Sequence, residues 1–247
     1  MNYADIKTVD IQDGTGIRVS IYVSGCHFHC KGCHNQEAWD FNYGKKFDDS
    51  TIEYILELLN HSYIAGLSLL GGEPMELVNQ QELQKLVKKV KEKYPDKTIW
   101  CYTGYDFEKD IMGDMYKKYD YTKNMLEYID IMVDGQFIDD KKLVDLKFRG
   151  STNQRKIDVQ KSLTEGKLVR LMFGDEERYE NKNTNVFKEL TLEKPEEKIE
   201  NIDRIKEKNT TRIIEMPTQK ENIVIDIEEP QRVAADKIIK SDPEDLN

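Results

Sequence analysis

Three cysteines lie close together near the start of the chain. Cys26, Cys30 and Cys33 follow one another at C-x3-C-x2-C spacing, and three histidines lie between and beside them. Thiolates bind soft metal ions and iron–sulfur clusters. Gly25 and Gly32 disfavour a helix here and favour a tight loop. Because a loop can wrap three thiolates around one inorganic centre, the spacing predicts a metal site.

Two kinds of centre suit this loop. Zinc could take the three thiolates with His34 as a fourth ligand, although adjacent residues such as Cys33 and His34 rarely both bind one tetrahedral ion. A [4Fe–4S] cluster suits soft thiolates equally well. With three thiolates, one iron lacks a protein ligand and is open to a substrate. Cys101 could fill that position, but it lies in an apparent strand, where a buried structural cysteine is commoner.

Hydrophobic patterns indicate the elements that hold this loop. Short apolar runs predict strands, and amphipathic periodicity predicts helices between them. This alternation is typical of an α/β fold with a mostly parallel sheet, which binds ligands beyond the carboxyl ends of its strands. The cysteine loop follows the first predicted strand and Gly71-Gly72 follows the second, so both are expected at one edge. The predicted strands are Arg18–Val23, Leu67–Leu70, Thr98–Tyr102 and Ile129–Val133.

Capping patterns indicate where two of the helices begin. Ser50 with Glu53, and Asn79 with Glu82, match the capping box, in which a small polar residue precedes a glutamate by three positions. Apolar residues at helical spacing follow each pair. A third helix is predicted over Asp106–Lys118.

Composition excludes several function classes. The chain has 247 residues, a formal net charge of −10 and a pI near 5.1. This acidic balance argues against nucleic acid and anionic membranes as partners, because both attract a basic face. We find neither a run of the ~20 apolar residues that a membrane span requires nor a secretory signal. We therefore expect a cytoplasmic protein, whose thiols bind metal or act in catalysis rather than form disulfides.

The chain is predicted to divide after residue 173. Residues 174–247 hold 20 acidic and 13 basic residues, a net charge of −7. Such a segment buries too little apolar surface to offset its ordering entropy, so we interpret it as a charged, weakly structured C-terminal extension. Two local patterns within it suit a short helix at Ile199, Ile202 and Ile205 and a strand over Ile223–Ile227.

The cysteine loop and later motifs resemble a known family. The loop together with Gly71-Gly72-Glu73-Pro74 resembles the radical S-adenosylmethionine (SAM) superfamily. Further motifs, in the same order over about residues 1–165, resemble the family that activates the anaerobic ribonucleoside-triphosphate reductase. These motifs are Val9-Asp10, Asp13-Gly14-Thr15-Gly16, Arg18, Val23–Cys26, Ile99-Trp100, Thr103-Gly104-Tyr105, Val133–Phe137 and Arg149–Gln154.

The resemblance implies a fold and a mechanism. The fold is a partial (β/α) barrel-like sheet of the radical SAM type over residues 1–173. Cys26, Cys30 and Cys33 would hold one [4Fe–4S] cluster, and SAM would bind its open iron. Reductive cleavage of SAM would give a radical that takes hydrogen from a glycine of the reductase large subunit, with a flavodoxin-like protein as electron donor. The implied SAM contacts are Gly32, Cys33, His34, Gly71, Gly72 and Glu73, the last through the SAM ammonium.

Two other functions remain open at this point. The family that activates pyruvate formate-lyase shares Cys33-His34-Asn35 and a pair like Trp39-Asp40, whereas Val133–Phe137 and Arg149–Gln154 favour the reductase family. A zinc-binding module without catalysis is the alternative of another class. Asp134, Arg149 and Asn153 have no assigned role, since turn and surface roles suit them as well as contact with SAM or a partner.

Overall fold

A seven-stranded sheet forms the centre of the molecule. The computed structural model describes residues 1–174, which belong to the first of two units, Met1–Glu193 and Lys194–Asn247. The sheet has the order β3-β1-β2-β4-β5-β6-β7. Its strands are β1 (Asn2–Asp10), β2 (Ile17–Val23), β3 (Lys45–Lys46), β4 (Ile64–Gly71), β5 (Thr98–Tyr102), β6 (Ile131–Asp134) and β7 (Arg155–Asp158).

The middle of the sheet is parallel and its edges are antiparallel. Strands β2, β4, β5 and β6 run parallel to one another. Strand β1 pairs antiparallel with β2 and β3, and β7 pairs antiparallel with β6. A mixed α/β architecture with a parallel centre is thus confirmed, while barrel-like closure of the radical SAM type stays a prediction.

Helices connect the parallel strands. Two short 3-10 helices, Gln36–Trp39 and Asp139–Lys141, follow β2 and β6, and a π-helical segment over Phe107–Met115 follows β5. This segment and the turn after it replace the regular helix predicted over Asp106–Lys118. The α-helices are α1 (Asp49–Leu59), α2 (Leu77–Lys93), α3 (Tyr116–Lys118), α4 (Asp120–Leu126) and α5 (Val159–Glu165).

Both predicted capping boxes are wrong, although both helices exist. Helix α1 begins after Asp48, whose side chain accepts a hydrogen bond from Thr51 N. Helix α2 begins after Glu76, so Asn79 lies within its first turn and its side chain makes no cap. In each case an acidic residue two or three positions earlier takes the N-cap position, which leaves Ser50 and Asn79 for other contacts.

The two faces of the sheet differ in polarity. Alternate residues such as Val19, Ile21 and Cys101 are completely buried in the apolar core between the sheet and its helices. Their neighbours Arg18 and Trp100 are equally buried but lie on the opposite face. Ser20 and Ser68 are also completely buried on that face, so it is the more polar of the two.

Arg18 joins three strands on this polar face. Its guanidinium donates to Ser68 Oγ at 2.7 Å, to Leu67 O at 2.7 Å and to Thr98 O at 2.7 Å. It also lies 5.6 Å from the ring centroid of Trp100. These bonds satisfy a buried charge and tie β2, β4 and β5 together.

Two of the predictions concern membrane spans and the C-terminal residues. None of the helices in residues 1–174 is long and apolar enough to cross a membrane. The predicted helix at Ile199–Ile205, the predicted strand at Ile223–Ile227 and the predicted division after residue 173 concern residues outside the described part.

Candidate functional site

A cavity of about 370 Å³ lies at the carboxyl ends of the parallel strands. The loop after β2 contributes the three cysteines, and the loop after β4 contributes Gly71, Gly72 and Glu73. The loops after β5 and β6 complete the wall. The structure thus confirms that the cysteine loop and Gly71-Gly72 meet at one edge of the sheet, as the alternation of strands and helices predicts.

The cysteine loop is held by the 3-10 helix that follows it. Gly25 N donates to Ala38 O at 2.8 Å, and Cys26 N donates to Trp39 O at 3.1 Å. Gly25 has φ +96°, and an added Cβ would lie 2.2 Å from the ring of Phe41. Because a side chain fits neither the backbone conformation nor the space, glycine is required immediately before the first cysteine.

The three cysteines are free thiols that line the same cavity. Cys26 is buried, whereas Cys30 and Cys33 are half-buried. Burial raises the pKa of the Cys26 thiol to about 12. An iron or zinc ion must therefore displace a proton to bind this sulfur, which couples assembly of a metal centre to pH.

Cys101 lies away from these thiols. It occupies the middle of β5 and is completely buried in the apolar core, on the face that packs against the helices. Burial raises its pKa well above the ordinary value. The interpretation of Cys101 as a structural cysteine agrees with this position, and the described residues offer three thiols to the cavity.

The histidines beside the cysteines occupy different surroundings. The His27 ring Nδ1 lies 2.9 Å from Glu76 Oε1, and the ring packs on Phe41 with centroids 4.8 Å apart. His29 stacks on Trp39 at 4.6 Å. His34 lines the cavity beside the cysteines, so it remains available as a ligand contact.

Gly32 turns away from the cavity. It is not among the residues of the described part that line the cavity; an added Cβ would lie 2.7 Å from Asp139 Oδ1. Its φ of +74° also favours glycine. The other five implied SAM contacts, Cys33, His34, Gly71, Gly72 and Glu73, all line the cavity.

Glu73 connects two of the loops around the cavity. Its side chain is almost completely buried; Oε1 accepts from Met75 N at 2.8 Å and Oε2 accepts from Gly104 N at 2.7 Å. Burial raises the pKa of Glu73 to about 7, although these backbone donors oppose the rise. The carboxylate thus joins two loops of the protein and can also accept a hydrogen bond from a cationic ligand.

Gly104 leaves room for an aromatic side chain of the cysteine loop. A Cβ on Gly104 would lie 2.7 Å from the ring of Phe28. Tyr105 contacts the same ring edge-on, with centroids 4.8 Å apart. Phe28 lies between the first two cysteines along the chain and lines the cavity, so the loop after β5 packs against a side chain of the cavity wall.

A pair of carboxyl groups lies at the rim of the cavity. Asp13 lines the cavity and accepts a hydrogen bond from the Tyr22 hydroxyl at 2.9 Å. Burial and the adjacent Asp10 raise the pKa of Asp13 to about 6. Burial favours a higher pKa for Asp10 too, but the hydrogen bond from Gln12 N and the nearby polar side chains of Asp13 and Ser20 hold it below its ordinary value. The two groups therefore share a proton in mildly acidic solution.

Asp134 belongs to an ion network beside the cavity. It is completely buried, accepts a bond from Phe107 N at 2.9 Å and pairs with Arg155. Asp106 and Glu108 surround the same guanidinium. The three carboxylates could in principle hold a cation, but Arg155 already lies among them, which indicates a structural network.

Arg149 and Asn153 hold the loop after β6. Arg149 Nη1 donates to Gln154 O at 2.7 Å, and Asn153 Nδ2 donates to Gln136 O at 2.8 Å. Arg149 also lines the cavity. These bonds give both residues a structural role, and Arg149 additionally offers a positive charge close to any ligand.

Sequence reasoning missed two buried polar residues of helix α2 and its cap. Glu76 Oε1 accepts from the backbone N–H of His27 at 3.2 Å as well as from its ring. Asn79 is completely buried and contacts both the segment before the cysteines and the loop that contains Glu73. The available signal was an asparagine within a helix, because asparagine has a low helix propensity.

Comparisons with known proteins identify relatives over this part of the chain. The family described as the 4Fe-4S single cluster domain matches residues 12–157. Proteins named anaerobic ribonucleoside-triphosphate reductase-activating protein are similar in sequence. The one from Enterobacteria phage T4 is 40% identical over 156 residues, which span 63% of this chain and 92% of the relative. The one from Haemophilus influenzae is 39% identical over 62% of this chain and 96% of the relative, and that from Escherichia coli is 36% identical over the same shares.

Proposed function

The chain belongs to the family of the anaerobic ribonucleoside-triphosphate reductase-activating proteins, and we propose that it is a radical SAM enzyme that generates a glycyl radical on that reductase. It is thus a glycyl-radical activating enzyme, an oxidoreductase with an iron–sulfur centre. The observation that carries the proposal is the convergence of three free thiols and the Gly71–Glu73 loop on one cavity.

The donor set fits one [4Fe–4S] cluster. Cys26, Cys30 and Cys33 supply three soft ligands, and Cys101 is directed into the core on the other face of the sheet. Three thiolates leave one iron open, where SAM can bind through its amino and carboxylate groups. A bound cluster would pass an electron from an external one-electron donor to SAM, and this reductive cleavage would supply the radical chemistry that removes a hydrogen atom from a glycine of the reductase.

The loop after β4 is suited to hold SAM beside the cysteines. Gly71 and Gly72 line the cavity without side chains, so a ligand can approach their backbone closely. Glu73 can accept a charge-assisted bond from the SAM ammonium, which favours the ionised form of a carboxyl group whose pKa is near 7. Cys33 and His34 line the same cavity. Gly32 faces Asp139, so we propose its contact with SAM only through its backbone.

Aromatic side chains line the same space. Phe28, Trp39 and Phe137 line the cavity, and Tyr105 packs against the Phe28 ring. An apolar lining suits a reactive carbon radical, because side reactions compete with the intended hydrogen transfer.

Two alternatives lead to different outcomes in the same experiments. An activating enzyme for pyruvate formate-lyase would produce its glycyl radical on the lyase and not on the reductase. A zinc module would yield a colourless protein without sulfide. The names of the relatives favour the reductase, and the iron–sulfur family that matches residues 12–157 favours the cluster.

Anaerobic reconstitution followed by electron paramagnetic resonance (EPR) tests the proposal. We expect about four iron and four sulfide per chain and an EPR signal of the reduced protein that changes when SAM is added. Mixing this protein and SAM with the reductase and a reduced flavodoxin-like donor should give a glycyl radical signal. Signal on the lyase alone would reassign the partner, and bound zinc without sulfide would overturn the mechanism.

A further inference from the structure

We propose that Asn79 is a positioning residue that sets the spacing between the cysteine loop and the Gly71–Glu73 loop, and with it the affinity for SAM. Asn79 lines neither the cavity nor the thiols. The inference rests on the proposed function only in naming SAM as the ligand. The spacing itself can be measured without any catalysis.

Both protons of the Asn79 amide are used, one for each loop. Nδ2 donates to Ser24 O at 3.0 Å, two residues before Cys26, and to Glu73 O at 2.9 Å. Both bonds are buried. A single nitrogen atom therefore joins the two segments that any ligand spanning cluster and loop must contact.

The position of this nitrogen is fixed by helix α2. Leu83, Leu86, Val87 and Val90 on the same helix are completely buried against the sheet. Asn79 lies in the first turn of that helix and is itself completely inaccessible to solvent. Because the helix cannot shift without losing this packing, the amide acts as a rigid spacer between the loops.

The other half of the amide indicates that donation is what the site requires. Asn79 Oδ1 is buried and has no hydrogen-bond partner among residues 1–174. A buried acceptor left unpaired is unfavourable, so an apolar side chain of similar size would suit the acceptor side better. An amide at this position is favourable only through its two N–H bonds.

Backbone bonds between the loops are present but reach different atoms. Gly72 N donates to Val23 O at 2.7 Å, and Glu73 N donates to Gly25 O at 2.9 Å. Ser24 O lies between these two carbonyls along the chain and receives Asn79. Without the amide, Ser24 O loses its donor, and the contact between the two loops depends on the two backbone bonds at Val23 O and Gly25 O alone.

The test compares Asn79→Leu and Asn79→Asp with Thr122→Val in the reconstituted protein. Leucine removes both donors at similar size, and aspartate keeps the shape but places acceptors against two carbonyls. Thr122 in α4 is also completely buried, and its hydroxyl donates to Gln80 Oε1 at 2.6 Å. Gln80 is the residue next to Asn79, so Thr122→Val is a control for the loss of a buried hydrogen bond to the same turn of α2.

Two readouts distinguish positioning from stability. Titration with SAM, followed by EPR of the reduced cluster, should show an affinity at least tenfold weaker for both Asn79 variants at normal iron content, and wild-type affinity for Thr122→Val. Hydrogen exchange measured by mass spectrometry should be faster at the amides of Gly72 and Glu73 in the Asn79 variants only. Wild-type affinity and exchange in Asn79→Leu would overturn the inference.

Further outcomes remain decisive. If both variants fail to fold, Asn79→Ser, which keeps one donor, should show intermediate exchange at Gly72 and Glu73; unchanged exchange there would contradict the role. If the wild-type protein itself shows no response to SAM, the proposed function fails, while the exchange measurement still decides the role of Asn79.

Discussion

The carboxylate of Glu73 accepts a hydrogen bond from the backbone N–H of Gly104 at 2.7 Å. This contact joins the loop after β4 to the loop after β5, and the second oxygen of Glu73 accepts from Met75 N at 2.8 Å. Both oxygens of a residue expected to bind SAM are therefore already engaged within the protein. The protein's own backbone therefore holds the conformation of this loop.

Glu73→Gln should destabilise the protein even without SAM. The amide can offer its oxygen to one backbone N–H, but its NH₂ group then faces the other. We expect a loss of about 1–3 kcal/mol in the free energy of unfolding, measured by denaturant titration of the cluster-free protein under reducing conditions. Glu82→Gln, which removes a surface ion pair with Lys85, is the control and should cost less than about 1 kcal/mol. Equal stability of both variants would contradict a stabilising role of Glu73 between the two loops.

Replacement of each cysteine should separate ligands from core residues. Cys26→Ala, Cys30→Ala and Cys33→Ala should each lose the cluster or its catalysis, because a site with three thiolates has no spare ligand. Cys101→Ala should keep nearly normal iron and sulfide and lose about 1 kcal/mol of stability. Iron and sulfide assays after anaerobic reconstitution decide this, and loss of iron in Cys101→Ala would show that the cluster has no open iron.

Gly72→Ala should disturb the contact between the two loops. The added Cβ would lie 2.7 Å from Gly25 O and 2.8 Å from Ala38 O, both backbone atoms that cannot turn aside. We expect about 1–3 kcal/mol of destabilisation and less iron per chain. In Gly150→Ala, the new methyl group would meet only the side chains of Phe137 and Gln154, so a smaller effect is expected. The opposite order would argue against close packing at Gly72.

Asp13 should make stability depend on pH in mildly acidic solution. Its pKa is raised from 3.8 to about 6, so the folded state holds a proton more tightly than the unfolded state does. The resulting stabilisation is complete below about pH 4 and is lost as pH rises to about 6. Relative to Asp13→Asn, the wild-type protein should therefore lose melting temperature across that interval and remain constant above it.

Tyr22→Phe serves as the companion variant for this measurement. The Tyr22 hydroxyl donates to Asp13 Oδ2 and so favours the ionised carboxylate. Its removal should move the upper limit of the interval to higher pH. Parallel melting curves of wild type and Asp13→Asn at all pH values would show that Asp13 does not titrate as described.

Truncation should be tolerated after Gly174 and harmful after Lys167. Phe173 packs against Trp100 and Phe148, with centroids 5.9 and 5.4 Å apart, and Leu171 N donates to Lys156 O on β7 at 2.7 Å. A chain ending at Gly174 keeps these contacts and should still cleave SAM, in line with the prediction that residues 174–247 are dispensable. Deoxyadenosine formation and melting temperature measure this; loss of cleavage in the folded longer truncate would contradict it.

The parallel centre of the fold was predictable because its signals are local. Thr98–Tyr102 is a strand with the predicted limits. Strands β2 and β4, which begin at Ile17 and Ile64, contain the predicted apolar runs. Strand β1 was not predicted, since its residues are mostly half-buried or exposed and show no regular alternation. It forms because it pairs with β2, a contact that no local pattern reveals.

The site was predictable where spacing along the chain determines chemistry. Three cysteines in one loop indicate a cluster wherever the loop lies. By contrast, the contact of Gly32 with Asp139 and those of Asn79 with Ser24 and Glu73 depend on how distant segments meet. Short-range rules assigned Asn79 to a helix cap, because they consider only its neighbours in sequence.

The position of Cys101 has a consequence for damage by air. Once oxygen destroys a cluster, the released thiols are free to oxidise, and a disulfide needs Cα atoms within about 7 Å. Since Cys101 is enclosed in the apolar core on the far side of β5, it cannot take part while the protein stays folded. At most one disulfide can then form among Cys26, Cys30 and Cys33, which leaves the third thiol open to oxidation to sulfenic acid. Reduction of the oxidised cysteines before reconstitution of the cluster should therefore restore the centre without unfolding the chain.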